Sequence, residues 1–409
     1  MKNRKKPVVN IIGLGYIGLP TAALIASKKI PVHGTDINSE VVDTINKGKI
    51  HIVEPDLDGL VKHVVEEGYL KAHTTPVEAD VYVIAVPTPV REDHSPDLTY
   101  VENAIRNILP YLKEGNLIII ESTSPVGTTE KMRELIYQER PELKDKIHMA
   151  YCPERVLPGK VLYELVHNDR AIGGIDEEST RQAISFYKHF VKGDLYPTNA
   201  RTAEMVKLVE NASRDVQIAF ANELSLISDQ AGIDVWELIE LANKHPRVNI
   251  LRPGTGVGGH CIAVDPWFII SDYSDSARLI RTAREVNTYK TEWVIGKIAK
   301  EAAEFEKKYG RKPKIAAMGL AFKPDIDDLR ESPALYVARV LKMNGHDILA
   351  VEPNLNGNHF DEFALHSANE AVEKADIVAF LVGHSAFRNL KIPGDKIVLD
   401  FVNVPFVRQ

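Results

Sequence analysis

Apolar positions along the chain fall into two rhythms. From residue 8 to about residue 198, short apolar runs alternate with stretches of helical period. The runs Val8 to Ile12, Val81 to Val86 and Asn116 to Glu121 each stop at a cluster of Gly, Pro, Ser or Thr. Unbroken apolar runs of this length suit strands buried on both faces, and strands alternating with helices imply a parallel sheet. From Thr202 to Asn243 the period becomes helical, with a pause near Ala231-Gly-Ile-Asp234. A second long helix is predicted from Ser276 to Tyr309, about 50 Å in length, which suits joining domains or forming a subunit interface. After Lys312, apolar runs at Ile315 to Gly319, Asp347 to Val351, Ile377 to Leu381 and Lys396 to Phe401 restore the first rhythm.

The first run leads directly into Gly13-Leu-Gly15-Tyr16-Ile17-Gly18, a GxGxxG turn between a strand and a helix predicted over Leu19 to Lys28. In such a turn the first glycine permits the tight bend and the second lets a pyrophosphate approach the backbone. The third lets the helix pack on the strand, and the helix N-terminus faces the phosphates. A second strand ends at Asp36, near the spacing at which a carboxylate meets the adenosine ribose, and a carboxylate there disfavours a 2′-phosphate. NAD rather than NADP is therefore the expected cofactor. Binding residues should also collect at the carboxyl ends of later strands, where Pro87-Thr88-Pro89 and Ser122 to Thr128 fall. Turn chemistry alone would also explain those residues. The fold expected is α/β, with two Rossmann-like doubly wound parallel-sheet domains, 1–200 and 311–409, joined by a central helical domain, 201–310.

One of only two cysteines, Cys261, follows Gly254, Gly256, Gly258 and Gly259 and stands four residues ahead of Asp265. A loop so lean in side chains lets a ligand approach a thiol, as a nucleophile requires; a small buried hydrophobe is the alternative. Lys207 and Asn211 lie one turn apart on a helix, with Glu204 on a similar side, so they either bind an oxyanion or water together or lie on a solvated face. In the last domain, Lys323 and Arg330 could hold phosphates, although Asp325, Asp327 and Asp328 crowd the same loop, and a charged connection is the other reading.

Composition narrows the field. A net charge of −7 argues against a nucleic-acid surface but leaves room for a local basic pocket. Cys152 and Cys261 are too few for a disulfide framework and fit a cytoplasmic location. The basic start Met1 to Lys6 superficially imitates a secretory signal, but the apolar run behind it is broken by the glycine turn and is taken as the first strand. No apolar stretch approaches the roughly 18 residues of a membrane span. His260 and His245 have no partners at zinc-like spacing, so no metal is expected.

Together these segments resemble the UDP-glucose/GDP-mannose dehydrogenase family of nucleotide-sugar 6-dehydrogenases. The likeness runs through the glycine turn, Val86-Pro-Thr-Pro89, Glu121-Ser-Thr-Ser-Pro-Val-Gly-Thr-Thr129, the Lys207/Asn211 helix, the Cys261 loop and Phe322-Lys-Pro-Asp325. UDP-glucose dehydrogenases usually carry Pro-Glu-Phe-Leu and Ser-Cys-Phe-Pro-Lys-Asp where this chain has Pro153-Glu-Arg-Val156 and His260-Cys-Ile-Ala-Val-Asp265. That departure points to an N-acetylhexosamine, with UDP-N-acetyl-D-mannosamine ahead of UDP-N-acetylglucosamine and UDP-glucose. The resemblance implies a four-electron oxidation of the sugar C6 alcohol to a carboxylate, with NAD used twice and Cys261 carrying a thiohemiacetal and then a thioester.

By the same resemblance, Lys207 and Asn211 stabilise oxyanions, Asp265 and Thr123 serve the hydrolytic water, and Glu154 is a general base or a partner in thioester hydrolysis. Gly13, Gly15, Tyr16, Ile17, Gly18, Asp36, Pro87, Thr88 and Thr123 are the implied cofactor residues. Substrate residues would be Glu154, Arg155, Val156, Lys207, Asn211, Arg247, Gly258, Lys323 and Arg330, with the UDP end on the last domain. Arg247 is a candidate contact to the sugar or diphosphate, from this chain or a neighbouring subunit, and because the family's middle helices form a dimer core a homodimer or larger assembly is expected. Two other readings stay open. A two-electron β-hydroxyacid dehydrogenase shares the Lys-x-x-x-Asn helix but gives no reason for Cys261, and a nucleotide-binding protein without turnover would keep only the fold.

Overall fold

The computed structural model describes residues 6–157 and 159–409; the opening basic residues 1–5 and Pro158 of the Cys152 to Gly159 segment lie outside them. The chain groups into two compact units, up to Glu210 and from Asn211 onward.

In the first unit, strands β1 (Val9–Ile12), β2 (Val32–Thr35), β3 (Leu70–His73), β4 (Val81–Ile84), β5 (Leu117–Ile120), β6 (His148–Tyr151), β7 (Arg170–Gly174) and β8 (Leu195–Asn199) form one sheet in the order β3-β2-β1-β4-β5-β6-β7-β8. Side chains alternate between its faces. Val9, Ile11, Val81, Val83, Leu117 and Ile119 join the core with helix Gly18–Ser27, while Ile12, Tyr82, Ile84, Ile118 and Ile120 join the opposite core with helices Thr99–Ile108 and Thr128–Glu139. That double burial is why the runs are continuously apolar. Strand order reverses direction at β1 and β4, which opens a crevice at their carboxyl ends.

The sheet departs from the expected parallel pattern at one seam, where β7 runs antiparallel to β6, Ala150 opposite Gly174 and Tyr151 opposite Gly173. Alternation of strands with helices does not encode this, because the connection holding helix Val161–His167 returns at the end of the sheet it left. Two consequences follow. The Glu154 to Val156 segment stays at the carboxyl edge, and the same register continued brings Arg170 opposite Glu154.

Two long helices, Ala200–Ala231 and Arg278–Tyr309, follow the predicted bounds within two residues. Gly232, at φ +69°, ends the first, and Asp234 caps the next helix, Val235–Ala242, by accepting the Trp236 N–H at 2.8 Å. The second stops at Gly310, φ +67°. Beyond it, four parallel strands are ordered Asp347–Val351, Lys314–Met318, Ile377–Phe380 and Ile397–Asp400, close to their sequence positions.

Candidate functional site

The glycine turn has the geometry its spacing predicts. Gly13 sits at φ +94°, and a Cβ on Gly18 would fall 1.8 Å from the Gly13 carbonyl oxygen, so neither tolerates a side chain. Around Gly15 the space is open, with nothing within 4 Å of an added Cβ. Helix Gly18–Ser27 has neither a side-chain cap nor an acid in its first turn, so no carboxylate of its own competes with an anion at its N-terminus. Tyr16 is exposed and Ile17 half-buried beside it. Asp36 accepts the Leu14 N–H at 3.0 Å and the Asn38 N–H at 2.9 Å, which orients a half-buried carboxylate with acceptor capacity left for a ribose diol. These residues fit NAD. Thr88 is buried and Pro87 exposed after β4, and Thr123 is half-buried after β5. The Ser122 hydroxyl binds the Val86 carbonyl at 2.7 Å and ties those two loops together.

Glu204 takes a role that helical spacing did not show. Fully buried, it accepts the Gly127 N–H at 2.6 Å and the N–H and hydroxyl of Thr129 at 2.8 and 2.7 Å, capping helix Thr128–Glu139. Lys207 and Asn211, farther along the same helix, are half-buried rather than fully solvated.

Glu154 is buried and bound by both Arg170 guanidinium nitrogens at 3.2 Å. Arg155 pairs with Glu210 at 2.5 Å, and Val156 packs against the sheet core. Cys152 lies in the same interior, where burial pushes its thiol up to about 11. A thiol so disfavoured as thiolate is inert.

Cys261, in the second unit, is exposed. Its carbonyl accepts the N–H groups of Val264 and Asp265, forming the turn into helix Asp265–Asp272. Asp265 is buried and accepts the Asn211 amide at 2.5 Å, so the amide and the carboxylate flanking the cysteine turn are locked together. Gly256, Gly258 and Gly259 are closely packed by protein, whereas Gly254 is not. A Cβ on Gly258 would meet the Glu331 carbonyl at 2.3 Å, one on Gly259 the Phe322 ring at 2.8 Å, and one on Gly256 the Thr291 hydroxyl at 2.2 Å. A buried polar chain holds the start of the loop. Arg284 binds Asp215 at 2.7 Å, Asn287 binds Asp215 at 2.8 Å and is bound by Asn222 at 2.9 Å, and Asn222 accepts the Gly254 N–H at 2.9 Å.

A cavity of about 800 Å³ opens in the second unit beside this loop. Lys323 lines it together with Arg214, Arg252 and Arg388, three cations the sequence reading did not select because no local motif marks them. Crowding by acids is relieved by hydrogen bonding. Asp325 accepts the N–H and hydroxyl of Ser385 at 2.8 and 2.9 Å, the backbone bond holding its carboxyl below the ordinary value. Arg330 is exposed, pairs with Asp328 at 2.6 Å and is not among the lining residues. Arg247 is also exposed and outside the lining; its N–H donates to His245 Nδ1 at 3.3 Å. Four cations around one cavity suit a diphosphate. Among the described residues, no group of three or more His, Cys, Asp or Glu is placed to hold a metal ion, and no helix is long and apolar enough to cross a membrane.

Comparison with known proteins agrees with this geometry. Residues 8–191 match the NAD binding domain of the UDP-glucose/GDP-mannose dehydrogenase family, 201–289 its central domain and 316–405 its UDP binding domain. UDP-N-acetyl-D-mannosamine dehydrogenase of Escherichia coli strain K12 is 54% identical over 409 residues, covering 96% of this chain and 97% of that one. NDP-N-acetyl-D-galactosaminuronic acid dehydrogenase of Ralstonia nicotianae is 52% identical, covering 93% and 92%. The solved UDP-N-acetyl-mannosamine dehydrogenase of S. aureus superposes with a TM-score of 0.86 at 40% identity, covering 97% of this chain and 99% of that one. The chain belongs to the UDP-glucose/GDP-mannose dehydrogenase family and is an NAD-dependent nucleotide-sugar dehydrogenase.

Proposed function

We propose that the protein oxidises C6 of UDP-N-acetyl-D-mannosamine to the uronate in two successive steps, and that its three parts, 1–200, 201–310 and 311–409, respectively bind NAD, carry the cysteine and hold UDP. The observation that carries this reading is the exposed Cys261 directly ahead of the Asn211–Asp265 pair, in a chain 54% identical to an enzyme named for that substrate. NAD, when bound, accepts the hydride in each oxidation.

The protein's residues supply the rest. Oxidation of the alcohol, with loss of a hydride and a proton, leaves an aldehyde; the Cys261 sulfur bonds to its carbon and the oxygen takes a proton, giving a thiohemiacetal. Loss of a second hydride and a proton leaves a thioester, and water breaks the carbon–sulfur bond to release the acid and restore the thiol. Lys207 and Asn211 stabilise the oxyanion at each stage. Glu154 removes a proton from the attacking water, with Thr123 and Asp265 orienting it. Arg155, Val156, Gly258 and Arg247 shape the sugar end. Lys323 with Arg214, Arg252 and Arg388 holds the diphosphate, and Arg330, on the same loop as Lys323, lies toward the substrate, so that remote binding energy places C6 for reaction. A cytoplasmic homodimer supplying an acidic sugar for polysaccharide assembly completes the proposal.

The Ralstonia relative favours a second reading, an N-acetylgalactosamine nucleotide as substrate. Comparing kcat/KM for UDP-N-acetylmannosamine, UDP-N-acetylglucosamine, UDP-N-acetylgalactosamine and UDP-glucose separates them. The proposal expects the mannosamine substrate to lead by roughly tenfold or more, about 1.4 kcal/mol. A lead by the galactosamine substrate would overturn the sugar assignment and leave the chemistry standing.

A further inference from the structure

The carboxyl ends of β5 and β6 enclose a charge cluster of which the proposed chemistry uses only Glu154. Glu121 follows β5 and Cys152 follows β6; the strands are paired in parallel, and the Cys152 N–H binds the Ile120 carbonyl at 3.1 Å. Glu121 Oε1 is 2.5 Å from the Tyr187 hydroxyl, while Glu121 Oε2 is buried with no hydrogen-bond partner among the described residues. The Arg170 guanidinium stacks over the Tyr187 ring with its central carbon 5.1 Å from the centroid, lies 3.8 Å from the Cys152 sulfur and binds Glu154 with two nitrogens. Its Nε has no hydrogen-bond partner among the described residues.

The interior therefore holds two carboxyl groups, a phenol and a thiol against a single cation. Two ionised carboxylates would leave a net negative charge in a low-dielectric site, so one of them keeps a proton. Glu154 has Arg170 on it and an adjoining N–H, that of Arg155 at 2.6 Å. Glu121 has one phenol, and is the group that stays protonated. Burial pushes its carboxyl up to about 7, with Arg170 pulling down and Glu154 pushing up.

We propose that Glu121 is a positioning residue for Glu154: its ionisation draws on the one cation they share and loosens the hold of Arg170 on the Glu154 carboxylate, so that the protonation of a buried acid gates release of product acid. This rests on the role proposed for Glu154. Glu121 acts on Glu154 through Arg170.

The test follows the release of acid from the enzyme-bound intermediate, by quenched flow with UDP-N-acetylmannosamine and NAD, across a pH series for wild type, Glu121→Gln, Tyr187→Phe and Glu154→Gln. Wild type should show an inflection near pH 7, the value at which Glu121 titrates. Glu121→Gln should lose it, and Tyr187→Phe should move it by about half a pH unit or more, a threefold change in proton affinity. Infrared difference spectra across the same range should show a protonated carboxyl band that disappears with rising pH in wild type and is absent in Glu121→Gln. A Glu121→Gln profile that keeps the wild-type inflection overturns the inference, as does a carboxyl band that persists in that variant. Should Glu121→Gln fold poorly, the Tyr187→Phe shift and the wild-type band decide by the same criteria. Undiminished acid release in Glu154→Gln would instead overturn the role of Glu154 itself, which keeps the two failures distinct.

Discussion

The two nucleotide folds begin with the same turn and end with different pockets. Gly13 and Gly319 both sit at φ +94°, and their N–H groups donate to Thr35 and Val351 of the neighbouring strand at 2.8 Å. In both, the carboxylate after that strand accepts the N–H of the leucine behind the glycine: Asp36 from Leu14 at 3.0 Å, Glu352 from Leu320 at 2.8 Å. From there they diverge. Gly15 stands in open space, whereas its counterpart Ala321 is buried and gives its N–H to Glu352 at 2.9 Å. Asp36 keeps acceptor capacity, while Glu352 also binds His384 Nε2 at 3.0 Å and Asn354 at 3.1 Å. The Asp325 N–H donates to His384 Nδ1, so the proton on that ring is on Nε2 and points at Glu352. Burial pushes the Glu352 carboxyl up, but the His384 bond and the Leu320 N–H outweigh it and leave it below its ordinary value. A carboxylate satisfied by protein has nothing to offer a ribose, and the second fold instead lines a cavity with Lys323 and Arg388.

The largest break in this comparison should come from Gly18→Ala, whose methyl falls 1.8 Å from a backbone oxygen. It should abolish NAD binding and lower stability by about 2–4 kcal/mol, read by calorimetric titration and denaturant unfolding. Arg388→Ala should raise the Kd for UDP roughly tenfold to a hundredfold and leave that for NAD unchanged, because the two ligands use different folds. Asp36→Asn should weaken NAD about tenfold and narrow its preference over NADP, measured by fluorescence titration.

A fourth expectation concerns pH. Glu121 titrates near 7 in the folded protein, above its unfolded value, so the native state holds an extra proton between the two. Its contribution is present at acid pH and fades as pH rises through 7, and Glu121→Gln should flatten that limb of a stability profile measured by urea unfolding. Smallest of all, Ala321→Gly should confer no dinucleotide binding on the second fold, since Glu352 stays occupied; measurable NAD binding to a variant that also carries Gly18→Ala, and so has no NAD site in the first fold, would contradict that reasoning.

Much of this was legible in the chain. GxGxxG spacing encodes a backbone conformation: Gly13 turns at φ +94°, Gly15 stands in open space and Gly18 lies against the Gly13 carbonyl. Long helices were readable because their breakers, Gly232 and Gly310, are local. Antiparallel β7 was not, since direction depends on which end of the sheet a connection returns to. Glu204 shares a helix face with Lys207 by spacing, yet it turns to cap another helix, a partner 75 residues away in sequence. Likewise the glycines before Cys261 suggested ligand access, while their close neighbours are Phe322, Thr291 and Glu331. Arg214, Arg252 and Arg388 converge only through tertiary structure, and the groups that surround Glu121, Arg170 and Tyr187, come from a strand and a helix farther along the chain, Tyr187 66 residues away, which no local motif encodes.

The most direct test of the central claim is the number of NADH formed per UDP-N-acetylmannosamine consumed, for wild type and Cys261→Ser. Covalent capture at Cys261 predicts a ratio of about two for wild type and a variant unable to release acid at the normal rate. A ratio of about one, or undiminished acid release by Cys261→Ser, would contradict it and restore an ordinary two-electron alcohol oxidation.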